Sequence, residues 1–178
     1  MIKNTYTPQI LFYCEGSSDK HFVNALKLAY GDNPRFSVQG GQGGSVKDVL
    51  KKCINVGGDY KKYCIVDIKP EIGKEDRKLA QDNNITLIEV SPYLECVILN
   101  ILEDTDIYNS GQDKNTAKTK LKILKGNMDL TDYLKSKITK SILEERSNRL
   151  AGFKIVVELF ENYKVEYIGQ QNSYKSPS

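Results

Sequence analysis

The stretch from residue 9 to residue 19, Gln-Ile-Leu-Phe-Tyr-Cys-Glu-Gly-Ser-Ser-Asp, constrains the fold more than any other part of the chain. A run of apolar residues ends abruptly at Glu15 and a glycine, and residues 21–30 then show apolar positions at helical spacing. This order predicts a strand, a tight turn and a helix. In a parallel α/β sheet such a turn lies at the carboxyl end of a strand, where ligands and catalytic groups gather, so we expect Glu15 at that edge. The expected caps of the helix are Ser17, Ser18 or Asp19.

Strand and helix patterns alternate over the first hundred residues, which predicts an α/β fold with a central parallel sheet. Four strands are expected near residues 8–14, 35–39, 62–67 and 85–90. The third contains an unbroken apolar run, as in a strand that is buried on both faces. We therefore expect helices on both faces of a four-stranded sheet.

Beyond Glu103 the pattern changes to helices alone. Lysine-rich helices are expected at 116–124 and 130–140, followed by one long helix over 141–163 whose apolar stripe packs on the sheet or on the lysine helices. The predicted organisation is an α/β domain over 1–106, a helical extension packed on it over 107–168, and a disordered tail over 169–178.

Composition sets broad limits on the class of protein. The chain has 178 residues, 39% of them hydrophobic and 28% charged, which suits one domain with a substantial core. It contains no apolar run of membrane length and no apolar leader segment, so we expect a cytoplasmic protein without a membrane partner. The cysteines are far apart and form no Cys-x-x-Cys pair, so we expect reduced core residues rather than a zinc site. They are Cys14, Cys53, Cys64 and Cys96.

The net charge of +3 conceals two opposed blocks. Residues 66–106 contain ten acids and four bases, whereas residues 114–140 contain eight lysines and two acids. Such blocks are often solvated helix faces, but the basic one is also typical of a surface that binds nucleic acid.

Acidic residues follow two of the predicted strands and open a predicted helix. Glu15, Asp67 and Glu95, together with the glycine-rich loop 40–45, are expected at the same carboxyl edge of the sheet. Acids that meet there repel each other unless a cation lies between them, and oxygen ligands with water favour Mg²⁺ or Mn²⁺. Taken singly, each acid also fits an ordinary turn, loop or first-turn position.

These residues resemble a known family. The motif Glu15-Gly16-x-x-Asp19 after an apolar strand, with a second strand that ends in Asp67 about fifty residues later, resembles the Toprim domain of topoisomerases, primases and OLD-type nucleases. The order Ile-Leu-Phe-Tyr-Cys-Glu-Gly, Val-Asp and Ser-Pro-Tyr-Leu-Glu is similar to the RloB-like branch, which is associated with bacterial and phage defence. The similarity covers residues 8–103, and the lysine-rich helices match only in general character.

The resemblance implies a metal-dependent nuclease or related phosphoryl-transfer enzyme, with nucleic acid as substrate and a protein partner in a defence system as a further expectation. Glu15 and Asp67 would be catalytic. The implied ligands of Mg²⁺ or Mn²⁺ are Glu15, Asp19, Asp67 and Glu71. The expected substrate contacts are Lys69, Glu95, Lys118, Lys120 and Lys122.

One departure from the family pattern leaves two function classes open. The family has Asp-x-Asp at the third strand, whereas this chain has Asp67-Ile68-Lys69. A lysine at this position weakens or abolishes a second metal site, so we expect a single weak one. Either Glu71 replaces the missing ligand, or Lys69 neutralises phosphate itself. Otherwise the chain is a non-catalytic module with the same fold that binds nucleic acid or a partner protein.

Overall fold

The computed structural model describes residues 9–68, 71–91, 93–108 and 114–173, and the side chains of these residues except 114 and 164–173. Lys69 lies outside the described residues, so its expected role stays a prediction. Pro92 also lies outside them.

The centre of the fold is a sheet of four parallel strands in the order β2-β1-β3-β4. The predicted α/β class and parallel pairing are confirmed, and the strand ends differ from their predicted positions by two residues or fewer. The strands are β1 (Gln9–Cys14), β2 (Phe36–Gly40), β3 (Tyr60–Asp67) and β4 (Ile85–Val90).

The first strand is apolar from Ile10 to Cys14, and both of its faces are buried over these residues. Side chains alternate between the two faces of a strand, so Ile10, Phe12 and Cys14 enter one core, and Leu11 and Tyr13 enter the other. None of these five side chains is more than 8% exposed.

Eight α-helices cover both faces of the sheet in the part of the chain that the structure describes. Two of them, α2 and α3, pack on the face that carries Leu11, and the other six contribute to the larger core on the opposite face. The helices are α1 (Ser17–Ala29), α2 (Val46–Ile54), α3 (Lys74–Asp82), α4 (Leu94–Glu103), α5 (Lys114–Lys125), α6 (Leu130–Lys137), α7 (Lys140–Glu145) and α8 (Lys154–Ser173).

The prediction of one long helix over 141–163 is wrong, because the helical structure is interrupted between α7 and α8. Two single-turn 3-10 helices, Ser147–Arg149 and Ala151–Phe153, fill the interval. Gly152 explains the interruption, since a Cβ at this position would lie 2.3 Å from the carbonyl oxygen of Glu89 on β4. The bare backbone thus touches the sheet, where a continuous helix would require room for its side chains.

The helices that follow Glu103 share the larger core with α1 and α4. The division into a domain over 1–106 and an extension over 107–168 stays a prediction. Helix α8 continues to Ser173 and so includes the first residues of the tail expected over 169–178, and the rest of that tail lies outside the described residues.

All four cysteines are buried and form no disulfide, as predicted. Over the residues that the structure describes, no helix combines the length and apolar character needed to cross a membrane.

The contact between Gly152 and β4 predicts a strong effect of one methyl group. Gly152→Ala should destabilise the protein by about 1–3 kcal/mol, because either the turn or the strand must move to accommodate the Cβ. Gly57→Ala is the matched control, since a Cβ there meets nothing within 4 Å. Urea unfolding followed by circular dichroism measures both changes. Equal unfolding midpoints for the two variants would contradict the packing argument.

Candidate functional site

A cavity of about 140 Å³ opens at the carboxyl edge of the sheet, where the first and third strands end. It brings together acids from the β1 turn, helix α1, the end of β3 and helix α4, with one lysine from α5. The lining residues are Glu15, Gly16, Ser17, Ser18, Asp19, Gly43, Asp67, Leu94, Glu95 and Lys118. The predicted convergence of Glu15, Asp67 and Glu95 is therefore present in the structure.

Glu15 is held at both its backbone and its side chain. Its amide donates a hydrogen bond to the carbonyl of Ile65 at 3.1 Å, which continues the pairing of β1 with β3. Its Oε2 accepts a hydrogen bond from the amide of Asp67 at 3.2 Å. The carboxylate thus bridges the ends of two neighbouring strands.

The glycine-rich loop supports Glu15 from the other side. The amide of Gly43 donates to the carbonyl of Glu15 at 2.8 Å, and the amide of Gly41 donates to the carbonyl of Cys14 at 2.9 Å. Gly40 has a φ of +94°, and a Cβ there would lie 2.2 Å from the same Cys14 oxygen, so a side chain does not fit. Because these two amides bind the protein's own carbonyls, the loop positions the acid.

Asp19 is the third residue of α1 and is only 9% exposed. Its Oδ2 accepts a hydrogen bond from the amide of Gly16 at 2.8 Å. Gly16 is the N-cap of α1, so none of the three residues expected to cap the helix occupies that position. Burial raises its pKa from the ordinary 3.8 to about 7, although the bond from Gly16 acts in the opposite direction. The carboxylates nearby also raise this pKa; they belong to Asp67, Glu15 and Glu95.

Glu95, in the first turn of α4, is the most buried acid of the site, at 4% exposed. Its Oε1 lies 3.8 Å from the Nζ of Lys118, whose side chain is 53% exposed. Its Oε2 is buried and has no hydrogen-bond partner among the described residues. A buried carboxylate oxygen without a hydrogen bond is costly, so a water molecule or a cation bound to this atom would stabilise it.

The three lysines of α5 that were expected to contact substrate do not lie on one face of the helix. Lys118 and Lys122 lie one helical turn apart, whereas Lys120 lies about 200° around the helix from Lys118. Lys120 instead forms an ion pair with Glu103 at 2.8 Å and a hydrogen bond with the hydroxyl of Tyr108. The structure thus places Lys118 at the cavity and uses the charge of Lys120 within the protein.

One expected metal ligand does not line the cavity. Glu71 is exposed and is not among the residues that line the cavity. Ser17 and Ser18 line it, although sequence reasoning considered them only as helix caps. Their place directly after Glu15 and Gly16 was the available signal, because a strand-to-helix turn exposes its residues to the edge of the sheet.

The acids provide part of what a metal site needs. Among the described residues, no three side chains of His, Cys, Asp or Glu are grouped closely enough to hold an ion. The four carboxylates are nevertheless hard oxygen donors around one small cavity, and the unpartnered Oε2 of Glu95 is one of them. Such a donor set fits Mg²⁺ or Mn²⁺ that keeps several of its water ligands.

No protein-family model matches the chain, and neither a characterised protein nor a solved structure matches it. The resemblance to Toprim domains therefore depends on the motifs quoted from the sequence and stays a prediction.

The raised pKa of Asp19 predicts that the protein loses stability as the pH rises. Because the folded state holds this proton up to about pH 7 and the unfolded state releases it near pH 4, the free energy of unfolding should fall between these values. Asp19→Asn keeps the oxygen that accepts from Gly16 and removes the ionisation. At pH 8 it should be more stable than the wild type by on the order of 2–4 kcal/mol.

Urea unfolding at pH 4.5 and pH 8 in the presence of EDTA tests this prediction. The difference between the two proteins should shrink at the lower pH, because the folded state keeps the proton of Asp19 there and the unfolded state has only begun to gain from releasing it. An Asp19→Asn protein that is less stable than the wild type by the same amount at both pH values would contradict it.

Proposed function

We propose that the protein is a divalent-cation-dependent phosphodiesterase that acts on nucleic acid, in the manner implied by its resemblance to Toprim domains. The observation that supports this proposal most is the cavity where four carboxylates face one lysine. Acids bind the cation that a phosphodiester needs to offset its charge, and a lysine binds the phosphate directly. A role in a bacterial or phage defence system follows from the RloB-like resemblance, and the cytoplasmic location expected from the sequence belongs to the same proposal.

The residues have distinct tasks in this reaction. A bound Mg²⁺ or Mn²⁺ would stabilise charge on the phosphate and make a water molecule more acidic. Asp67 and Glu95 would hold the ion, and Asp19 would join them once it has lost its proton. Glu15, oriented by the amide of Asp67, accepts the proton of the attacking water. The water oxygen then bonds to phosphorus as the ester P–O bond breaks, and the leaving oxygen takes up a proton from solvent water.

Two neutralising variants test the enzyme directly. Glu15→Gln and Asp67→Asn should each lower Mn²⁺-dependent cleavage of DNA or RNA by about 100-fold or more, because each removes a charge from the reaction centre. Glu75→Gln, an exposed position on α3, should cleave like the wild type. Calorimetry with Mn²⁺ should show one weak site in the wild type and a weaker one in Asp67→Asn. Equal cleavage by the wild type and all three variants would identify a contaminating nuclease, and the proposal that this protein is the enzyme would be wrong.

The exposed lysines of α5 provide the surface for the phosphate backbone. Lys118 at the cavity and Lys122 one turn further along the helix face the same side, about 6 Å apart along its axis. Replacing both by glutamine should weaken nucleic-acid binding and reduce the slope of log affinity against log salt by about 2. Fluorescence anisotropy with labelled DNA and RNA measures this change.

A matched pair on the opposite side of the sheet controls for net charge. Lys74 and Lys78 on α3 are exposed and four residues apart, like the pair on α5. Their double glutamine variant should bind as the wild type does. Equal weakening by the two double variants would show that binding follows net charge and not the face of α5. An acidic protein partner that binds the same lysines would give the same salt dependence. A pull-down with candidate partner proteins is therefore the control that distinguishes a protein partner from nucleic acid.

One observation favours a second candidate, a non-catalytic module that binds nucleic acid or a protein. In the described part of the chain the acids are not grouped as a metal cluster, and two of them accept hydrogen bonds from backbone amides. Glu15 would then join the ends of two strands, and Asp19 would stabilise the first turn of α1. This module would bind nucleic acid equally with EDTA and with Mn²⁺, and calorimetry would detect no ion.

A further inference from the structure

The contact between Glu95 and Lys118 joins helix α4 to helix α5 at the mouth of the cavity. Glu95 is almost fully buried, whereas more than half of the Lys118 side chain is exposed. Their charged atoms lie 3.8 Å apart, at the outer limit for an ion pair. The two partners therefore differ in freedom, since the carboxylate is fixed and the lysine can move.

The ion pair engages only one of the two carboxylate oxygens of Glu95. Oε1 faces Lys118, whereas Oε2 is buried and has no hydrogen-bond partner among the described residues. A lysine near the surface gains little from such a long contact, on the order of 0–1 kcal/mol. Lys118 itself therefore loses little when it exchanges Glu95 for a stronger anion, and the cost of the exchange falls on the buried carboxylate.

A phosphodiester is such an anion, and it would enter the cavity from the side where Lys118 lies. If the ammonium group moves to the phosphate, the buried carboxylate of Glu95 loses the positive neighbour of its Oε1. The resulting charge strongly favours a cation at the carboxylate. An ion that binds there is in turn close to the phosphate.

We propose that Lys118 is a positioning residue that makes the binding of nucleic acid and of the cation cooperative. Lys118 occupies Glu95 in the free protein and transfers to the phosphate when the strand arrives, which releases Glu95 to bind the cation. This inference rests on the proposed function, because it requires that the cavity binds both ligands. It adds a mechanism by which the cation site becomes complete only with substrate.

Calorimetry with Mn²⁺ tests the inference, in the presence and absence of a short phosphorothioate thymidine strand that resists cleavage. In the wild type the strand should tighten Mn²⁺ binding about 5-fold or more, after subtraction of Mn²⁺ binding to the strand alone. A methylphosphonate strand of the same sequence has no backbone charge and should have no such effect.

Three variants identify the residues responsible. Lys118→Gln should bind Mn²⁺ more tightly than the wild type without any strand, and the phosphorothioate strand should tighten it no further. Glu95→Gln should bind Mn²⁺ weakly with or without the strand. Lys78→Gln, which removes the same charge from α3, should behave as the wild type in every measurement. Thermal unfolding confirms that all three variants fold.

The possible failures are distinct. If Lys118→Gln and the wild type bind Mn²⁺ equally and respond equally to the strand, the inference is wrong and the proposed function stands. If no protein binds Mn²⁺ under any condition, the proposed function is wrong and the inference falls with it.

Discussion

The hydrogen bonds that β1 makes to strands on both of its sides determine where the acids of the site lie. Cys14, the last residue of β1, is level with Gly40 of β2 and Ile65 of β3, so the turns that follow these strands meet at one edge. The helices cover both faces of the sheet and leave this edge accessible. The proximity of Glu15 to Asp67 is therefore a consequence of parallel pairing, and the amide of Asp67 reinforces it by donating to the Glu15 carboxylate.

Placing acids side by side in a half-buried cavity opposes folding, and the structure shows how the repulsion is limited. Backbone amides donate to Glu15 and to Asp19, Asp19 holds its proton to about pH 7, and Lys118 lies near Glu95. Each of these interactions offsets only part of the repulsion between the acids. Proteins retain unfavourable electrostatics of this kind mainly where a ligand is bound, because the same groups that oppose folding favour a counterion.

The sequence predicts the strands and the acid positions well, because both follow from local patterns. The apolar run before Glu15 and the one before Asp67 are sufficient to place two strands and their carboxyl ends. Contacts between distant segments were not predictable in this way. The apolar stripe after Ser141 continues through the break between α7 and α8, and the contact of Gly152 with Glu89, more than sixty residues earlier, lies within that break. Likewise, which lysine of α5 reaches Glu95 depends on how α5 docks on α4, and the spacing of the lysines carries no information about it.

The turn at Gly152 also protects the sheet. β4 is an edge strand, and its Val90 carbonyl accepts a hydrogen bond from Ile68 on the β3 side. Carbonyls alternate in direction along a strand, so the carbonyl of Glu89 points outward, away from β3. Gly152 lies against this outward carbonyl. An exposed edge strand invites pairing with a strand of another molecule. The backbone of the turn occupies the place that such a strand would need. It therefore blocks association of two molecules through β4.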